Sequence, residues 1–118
     1  MQVYHKEKSF PHEDLLRLFV VSVKGQFWSL SRHAKERILE RVDHVEKIGT
    51  MLRDYILTFD DILEYTLNNG HIEKVLVRID FDKDNDLIFS VSYDAKILTV
   101  YLNKKADKHF TLNKLQYV

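Results

Sequence analysis

Apolar residues in the first half of this chain recur at helical spacing, and from His71 onward they alternate. Leu15, Leu16, Leu18, Phe19, Val20 and Val23 predict a buried helix that ends near Lys24. Pro11, Glu13 and Asp14 suit its start and Gly25 its stop, although Phe19–Val23 would also suit a strand. A second helix is expected from Arg32 to Ile48, capped by Ser31, with Ala34, Ile38, Val42 and Val45 as its buried stripe. Phe27 and Trp28 could staple its entry or sit at an interface. Gly49 and Thr50 interrupt the pattern, and 51–57 reads equally as a short helix or an extended stretch. Thr58, Asp60 and Asp61 open a third predicted helix through Ile62, Leu63, Tyr65, Thr66 and Leu67, ended by Asn68-Asn69-Gly70.

The period-2 region predicts strands at 72–81, 86–93 and 96–103, and a last extended segment near 109–117. Asp82–Asn85 and Asp94-Ala95 are the turns. The predicted element order is αααββββ, with residues 1–9 loosely held. The expected fold is an α+β domain with N-terminal helices packed on one face of a three- to four-stranded antiparallel sheet. Alternation assigns Val75, Val77, Ile79, Leu87, Phe89, Val91, Tyr93, Leu98, Val100 and Leu102 to the core face. Arg78, Ser90, Ser92, Thr99 and Tyr101 fall on the other face, which reads either as a solvated surface or as one able to hydrogen-bond a phosphodiester. The apolar pair Tyr117-Val118 suggests that the tail docks.

Composition narrows the chemistry. A chain of 118 residues fits one domain with its own core. The absence of Cys excludes disulfides, thiolate zinc and a Cys nucleophile. Eighteen basic and 18 acidic residues cancel, so any nucleic-acid contact must be a local patch. No signal peptide and no apolar run of membrane length is present, and a soluble cytoplasmic protein is expected. The alternating Asp80, Asp82, Asp84 and Asp86 lack the Gly and Glu of a calcium loop and read as a plain acidic hairpin. No metal site and no cofactor motif is found.

His33, Arg37 and Arg41 lie at i, i+4 and i+8 on the second predicted helix, so they share a stripe. A titratable His beside fixed cations suits a bound phosphate; the alternative is an ordinary helix surface with Arg37 paired to Glu40. His109 could join Thr111 on one side of a strand or sit exposed in a loop.

The run Ser31-x-His33-Ala34-x-x-Arg37-x-x-x-Arg41 resembles the Ser-x-His-Ala-x-x-Arg helix signature of a family of small bacterial and phage domains. Those domains look related to the RelE- and BrnT-like ribonuclease toxins. Thr58–Leu63, Asn69-Gly70 and Thr99-Val100-Tyr101 extend the likeness over roughly residues 29–103. Val42–Leu57 is longer than the family's turn, and the first helix and the tail after Asn103 lie outside the match. The resemblance implies a four-stranded sheet and metal-independent RNA cleavage. It implies proton transfer by His33, His109 and Tyr101, and phosphate binding by Arg37, Arg41, Arg78 and Thr99. RNA and an antitoxin would then be partners. The alternative is a non-catalytic phage or prophage interaction protein that binds a host protein or forms a homodimer; zero net charge favours it.

Overall fold

The structure, a computed structural model, describes residues 1–24, 26 and 28–118. Its elements in chain order are β1 (Gln2–His5), α1 (Glu13–Lys24), β2 (Ser29–Leu30), α2 (Arg32–Leu39), α3 (Val45–Asp54), β3 (Ile62–Asn68), β4 (His71–Asp80), β5 (Asn85–Ser92) and β6 (Lys96–Lys104). Single 3-10 turns occupy Val42–His44, Phe59–Asp61 and Lys114–Gln116. The sheet has six strands in the order β1-β3-β4-β5-β6-β2. Every pairing is antiparallel except β2 with β6.

The class is α+β, but the expected RelE/BrnT-like arrangement is overturned. The sheet is six-stranded and mixed, not a three- to four-stranded antiparallel one, and its first strand precedes the helices. Residues 2–5, expected to be loose, pair with β3 and bury Tyr4 and His5. The predicted third helix is strand β3. Its cap signals, Thr58, Asp60 and Asp61, serve only one 3-10 turn. Ile, Tyr and Thr are strong β-formers, and pairing on both sides by β1 and β4 decides the matter. Asn69 and Gly70, with φ of 52° and 78°, close a β3–β4 hairpin, the other established use of Asn-Gly.

The predicted long helix of 32–48 breaks after Leu39 and resumes at Val45. In a straight helix Ile48 would be rotated about 80° from Ile38. The break re-aims α3 so that Ile48 and Leu52 enter the core, and Val42 is left exposed. Gly25, the expected helix stop, and Phe27 lie outside the described residues. The strand predicted near 109–117 is instead an irregular segment with one 3-10 turn and a single bridge from Tyr117 to Val3.

Helices and sheet enclose one main core that includes Leu16, Phe19, Ala34, Ile38, Ile48, Val77 and Phe89. A second, smaller cluster of Leu63, Leu76 and Ile88, with Tyr101 packed against it, lies on the opposite sheet face. Two bulges control which side chains reach that face. Between Ile62 and Glu64 the register with β4 slips, which turns Leu63 and Glu64 to the same side. Between Ser90 and Val91 the pairing skips Leu98, so Leu98 leaves the expected core set and lines a pocket with Thr99. Tyr93 also leaves that set: it is exposed beside Leu18 at a groove between α1 and the β3–β4 hairpin.

Candidate functional site

The sequence-derived site residues divide between the two layers. His33, Arg37 and Arg41 stand on or just after α2, which buries Ala34 and Ile38 in the main core. Arg78, Thr99, Tyr101 and His109 belong to the opposite face of the sheet or to the segment that covers it. The structure therefore does not bring the helix stripe and the sheet residues into one site.

Within this set, among the described residues, Arg37 is satisfied along α2 and Arg41, which follows the helix, is not. Arg37 Nη1 pairs with Glu40 at 3.1 Å, and its Nε lies 3.4 Å from His33 Nε2. Arg41 Nε is buried without a hydrogen-bond partner among the described residues. Arg78 Nε donates to Asp86 at 2.7 Å and its Nη2 to the Lys104 carbonyl at 3.1 Å. Lys105 adds a second cation to Asp86 at 2.6 Å. Burial pushes the Asp86 carboxyl up, but the bonds from Lys105 and Arg78 outweigh it and hold the group below the usual range. The acidic hairpin is a turn, as read: Asp82 Oδ1 accepts the amides of Asp84 at 2.9 Å and Asn85 at 2.7 Å.

A different cluster forms where the segment after β6 folds back over the sheet. Its centre is Glu64, delivered by the β3 bulge and 7% exposed. Tyr117 OH donates to Glu64 Oε1 at 2.5 Å, and Thr111 Oγ1 donates to Oε2 at 2.6 Å. One hydroxyl donor on each oxygen fits the ionised carboxylate. Both hydroxyl protons are thereby used, so the 3.1 Å approach of Thr111 Oγ1 to Tyr117 OH is proximity alone. The Tyr117 oxygen also accepts the Leu112 amide at 2.9 Å. Burial and the Glu64 bond push the Tyr117 phenol up.

Tyr101 and His109 form the second pair, with Tyr101 OH 3.1 Å from His109 Nε2. Burial, reinforced by the charge of Glu64, pushes Tyr101 up to about 12. Burial also lowers His109, against the pull of Glu64. Both groups are then neutral near pH 7, so the phenol donates and Nε2 accepts. His109 is held in left-handed backbone, φ 52°, with its amide on Asp107 Oδ1 at 2.9 Å. His5 anchors the same segment from β1. The Glu7 amide donates to its Nδ1 at 3.0 Å, which leaves Nε2–H to donate to the His109 carbonyl at 2.9 Å. Phe110 stacks on the His5 ring at 4.0 Å.

Between this cluster and the sheet lies a pocket of about 320 Å³. Val3, Leu76, Leu98 and Leu112 supply apolar wall, and Glu64, Lys74, Ser90, Thr99, Tyr101 and Thr111 supply polar groups. Ser90 Oγ and Thr99 Oγ1 share one hydrogen bond at 2.7 Å, and Ser90 Oγ also accepts the Thr99 amide at 3.1 Å. A mostly apolar hollow with a few convergent polar groups is the ordinary form of a small-ligand site.

Sequence reasoning reached Arg78, Thr99, Tyr101 and His109 and missed Glu64, Thr111, Tyr117 and His5 as site residues. The signals for the covering segment were the extended stretch read near 109–117, the shared side of His109 and Thr111, and the apolar end at Tyr117-Val118. Glu64 carried none, because strict alternation from Ile62 would put it in the main core and only the bulge turns it out.

Among the described residues no group of His, Cys, Asp or Glu is placed to hold a metal, and no helix is long and apolar enough to cross a membrane. Compared with protein-family models, with curated proteins and with solved structures, the chain matches none.

Proposed function

We propose that this chain is a small, non-catalytic binding module whose working surface is the second face of its sheet. Its ligand would sit in the pocket under the segment 105–118. The observation that carries this reading is Glu64, a carboxylate 7% exposed and bonded only by neutral hydroxyls at the pocket wall. A buried charge without a cation is a poor way to stabilise a fold, so its presence beside a cavity favours a functional role. Tyr101, His109 and Tyr117, all with shifted proton affinities, gather round the same place. Zero net charge suits a small ligand better than a nucleic-acid track. The cysteine-free composition is compatible with the cytoplasm, where we place it. The test is a crystal soak with a library of small fragments. Density for bound fragments in this pocket supports the reading. An empty pocket in crystals whose other grooves fill contradicts it.

Metal-independent RNA cleavage is a second reading, favoured by the 3.1 Å contact of Tyr101 with His109. Neutral His109 would take the 2′-hydroxyl proton, the 2′-oxygen would attack phosphorus, and Tyr101 would protonate the leaving 5′-oxygen. Arg78, on the same face, would have to leave Asp86 to stabilise the phosphorane. The products would be a 2′,3′-cyclic phosphate and a 5′-hydroxyl. Such ends from RNA incubated in EDTA with the wild type, and their loss in both Tyr101→Phe and His109→Gln, support this reading. Intact RNA contradicts it.

A further inference from the structure

We infer that the sheet-face pocket takes a small organic cation, an ammonium group carried on an apolar body. The inference rests on reading this pocket as a ligand site. Its first support is charge. Among the described residues no Lys, Arg or His makes an ion pair with Glu64. Thr111 and Tyr117 neutralise none of its charge, because hydroxyls are dipoles. Each oxygen accepts one bond and keeps room for another. An ammonium at this wall would gain a charge-assisted hydrogen bond and remove the cost of the lone buried carboxylate.

The second support is the rest of the wall. Val3, Leu76, Leu98 and Leu112 offer an apolar surface, and Tyr101 adds an aromatic ring able to attract a cation. About 320 Å³ lies at the small end of ligand cavities and suits a single-ring body.

The charged and titratable groups facing Glu64 agree with this. From β1 comes His5, whose Nδ1 accepts the Glu7 amide, and from the covering segment His109, which burial keeps neutral near pH 7. From β4 come Arg78, already committed to Asp86, and Lys74. Lys74 pairs with Thr66 across the ladder while Glu64 pairs with Leu76, so Lys74 is a diagonal neighbour of Glu64 on the same face. It is exposed, and among the described residues it makes no ion pair and is the one cationic side chain lining this pocket, placed to compete with a ligand for the carboxylate.

The experiment titrates the labelled full chain near neutral pH with benzylamine and with benzyl alcohol, which share a ring and differ in charge. Benzylamine should shift the amides of Glu64, Thr66 and Ser90 and bind at least about tenfold more tightly than the alcohol. Glu64→Gln should erase that preference. Lys74→Met, at the exposed rim, should tighten benzylamine alone, which keeps the test decisive if Glu64→Gln fails to fold. Equal binding of the two compounds, or a preference that survives Glu64→Gln, overturns the cation class while leaving the pocket a ligand site. Pocket amides unmoved by either compound overturn the ligand site itself.

Discussion

The Tyr117 hydroxyl donates to Glu64 Oε1 at 2.5 Å, tying a residue of the covering segment to the bulge of β3 across 53 positions of sequence. This bond gives the buried carboxylate one of its two donors and holds the covering segment, whose Thr111 and Leu112 line the pocket. Removing the hydroxyl with Tyr117→Phe leaves Glu64 short of a donor and the Leu112 amide short of its acceptor. We expect a loss of about 1–3 kcal/mol. The check is urea unfolding, where the midpoint should fall with the slope unchanged. Amide exchange over residues 109–117 should rise by more than exchange in the strands.

The contrast between the visible strands and this less visible covering segment has a physical cause. Strands 71–80, 85–92 and 96–104 were legible to within a residue or two because Val75, Val77, Leu87, Phe89 and Val100 alternate against one core. Alternation stops being informative at a bulge, and Glu64 and Leu98 both sit at one. The stretch 58–68 was misread because first-turn acids look the same before a 3-10 turn and before an α-helix. The covering segment was misread for another reason. It has no periodicity, and it is held by Thr111, Tyr117, His109 and Phe110 acting on partners in β1, β3 and β6. Such partners are unknowable before the sheet order is known. The expected stripe of His33, Arg37 and Arg41 holds only for the first two, because α2 ends at Leu39 and Arg41 lies beyond it in non-helical backbone, and spacing alone could not show that break.

Burial of His109 gives the fold a pH dependence. The folded-state pKa lies below the ordinary 6.5, so the unfolded chain takes up a proton first as pH falls. The contribution of His109 is therefore complete above about 6.5 and declines as pH drops through the window between 6.5 and its folded value. Stability measured from pH 7.5 to 5 should slope downward, and His109→Gln should flatten part of that slope. An NMR titration of the His109 ring should give a midpoint below 6.5. A midpoint above 6.5 would reverse the sign and contradict the assigned burial.

Two glycines should respond in opposite directions to the same change. Gly49 lies inside α3, and a Cβ there would meet nothing within 4 Å. Gly49→Ala should stabilise by about 0.5–1 kcal/mol through reduced unfolded-state entropy and better helix propensity. Gly70 is equally uncrowded, but its φ of 78° belongs to the left-handed region. Gly70→Ala should cost about 1 kcal/mol through backbone strain. Thermal midpoints of the two variants should straddle that of the wild type.

We propose that the pocketed face of the sheet, not the helix stripe, is the working surface. The most direct measurement is an amide-shift map of the protein with small fragments, made on the wild type, on Leu98→Trp and on Arg37→Ala/Arg41→Ala. Leu98 lines the pocket, so a tryptophan there should fill it. We expect shifts centred on Thr66, Lys74, Ser90 and Thr99, lost in Leu98→Trp and intact in the double mutant. Shifts centred on residues 33–41, surviving Leu98→Trp and vanishing in the double mutant, would contradict the account.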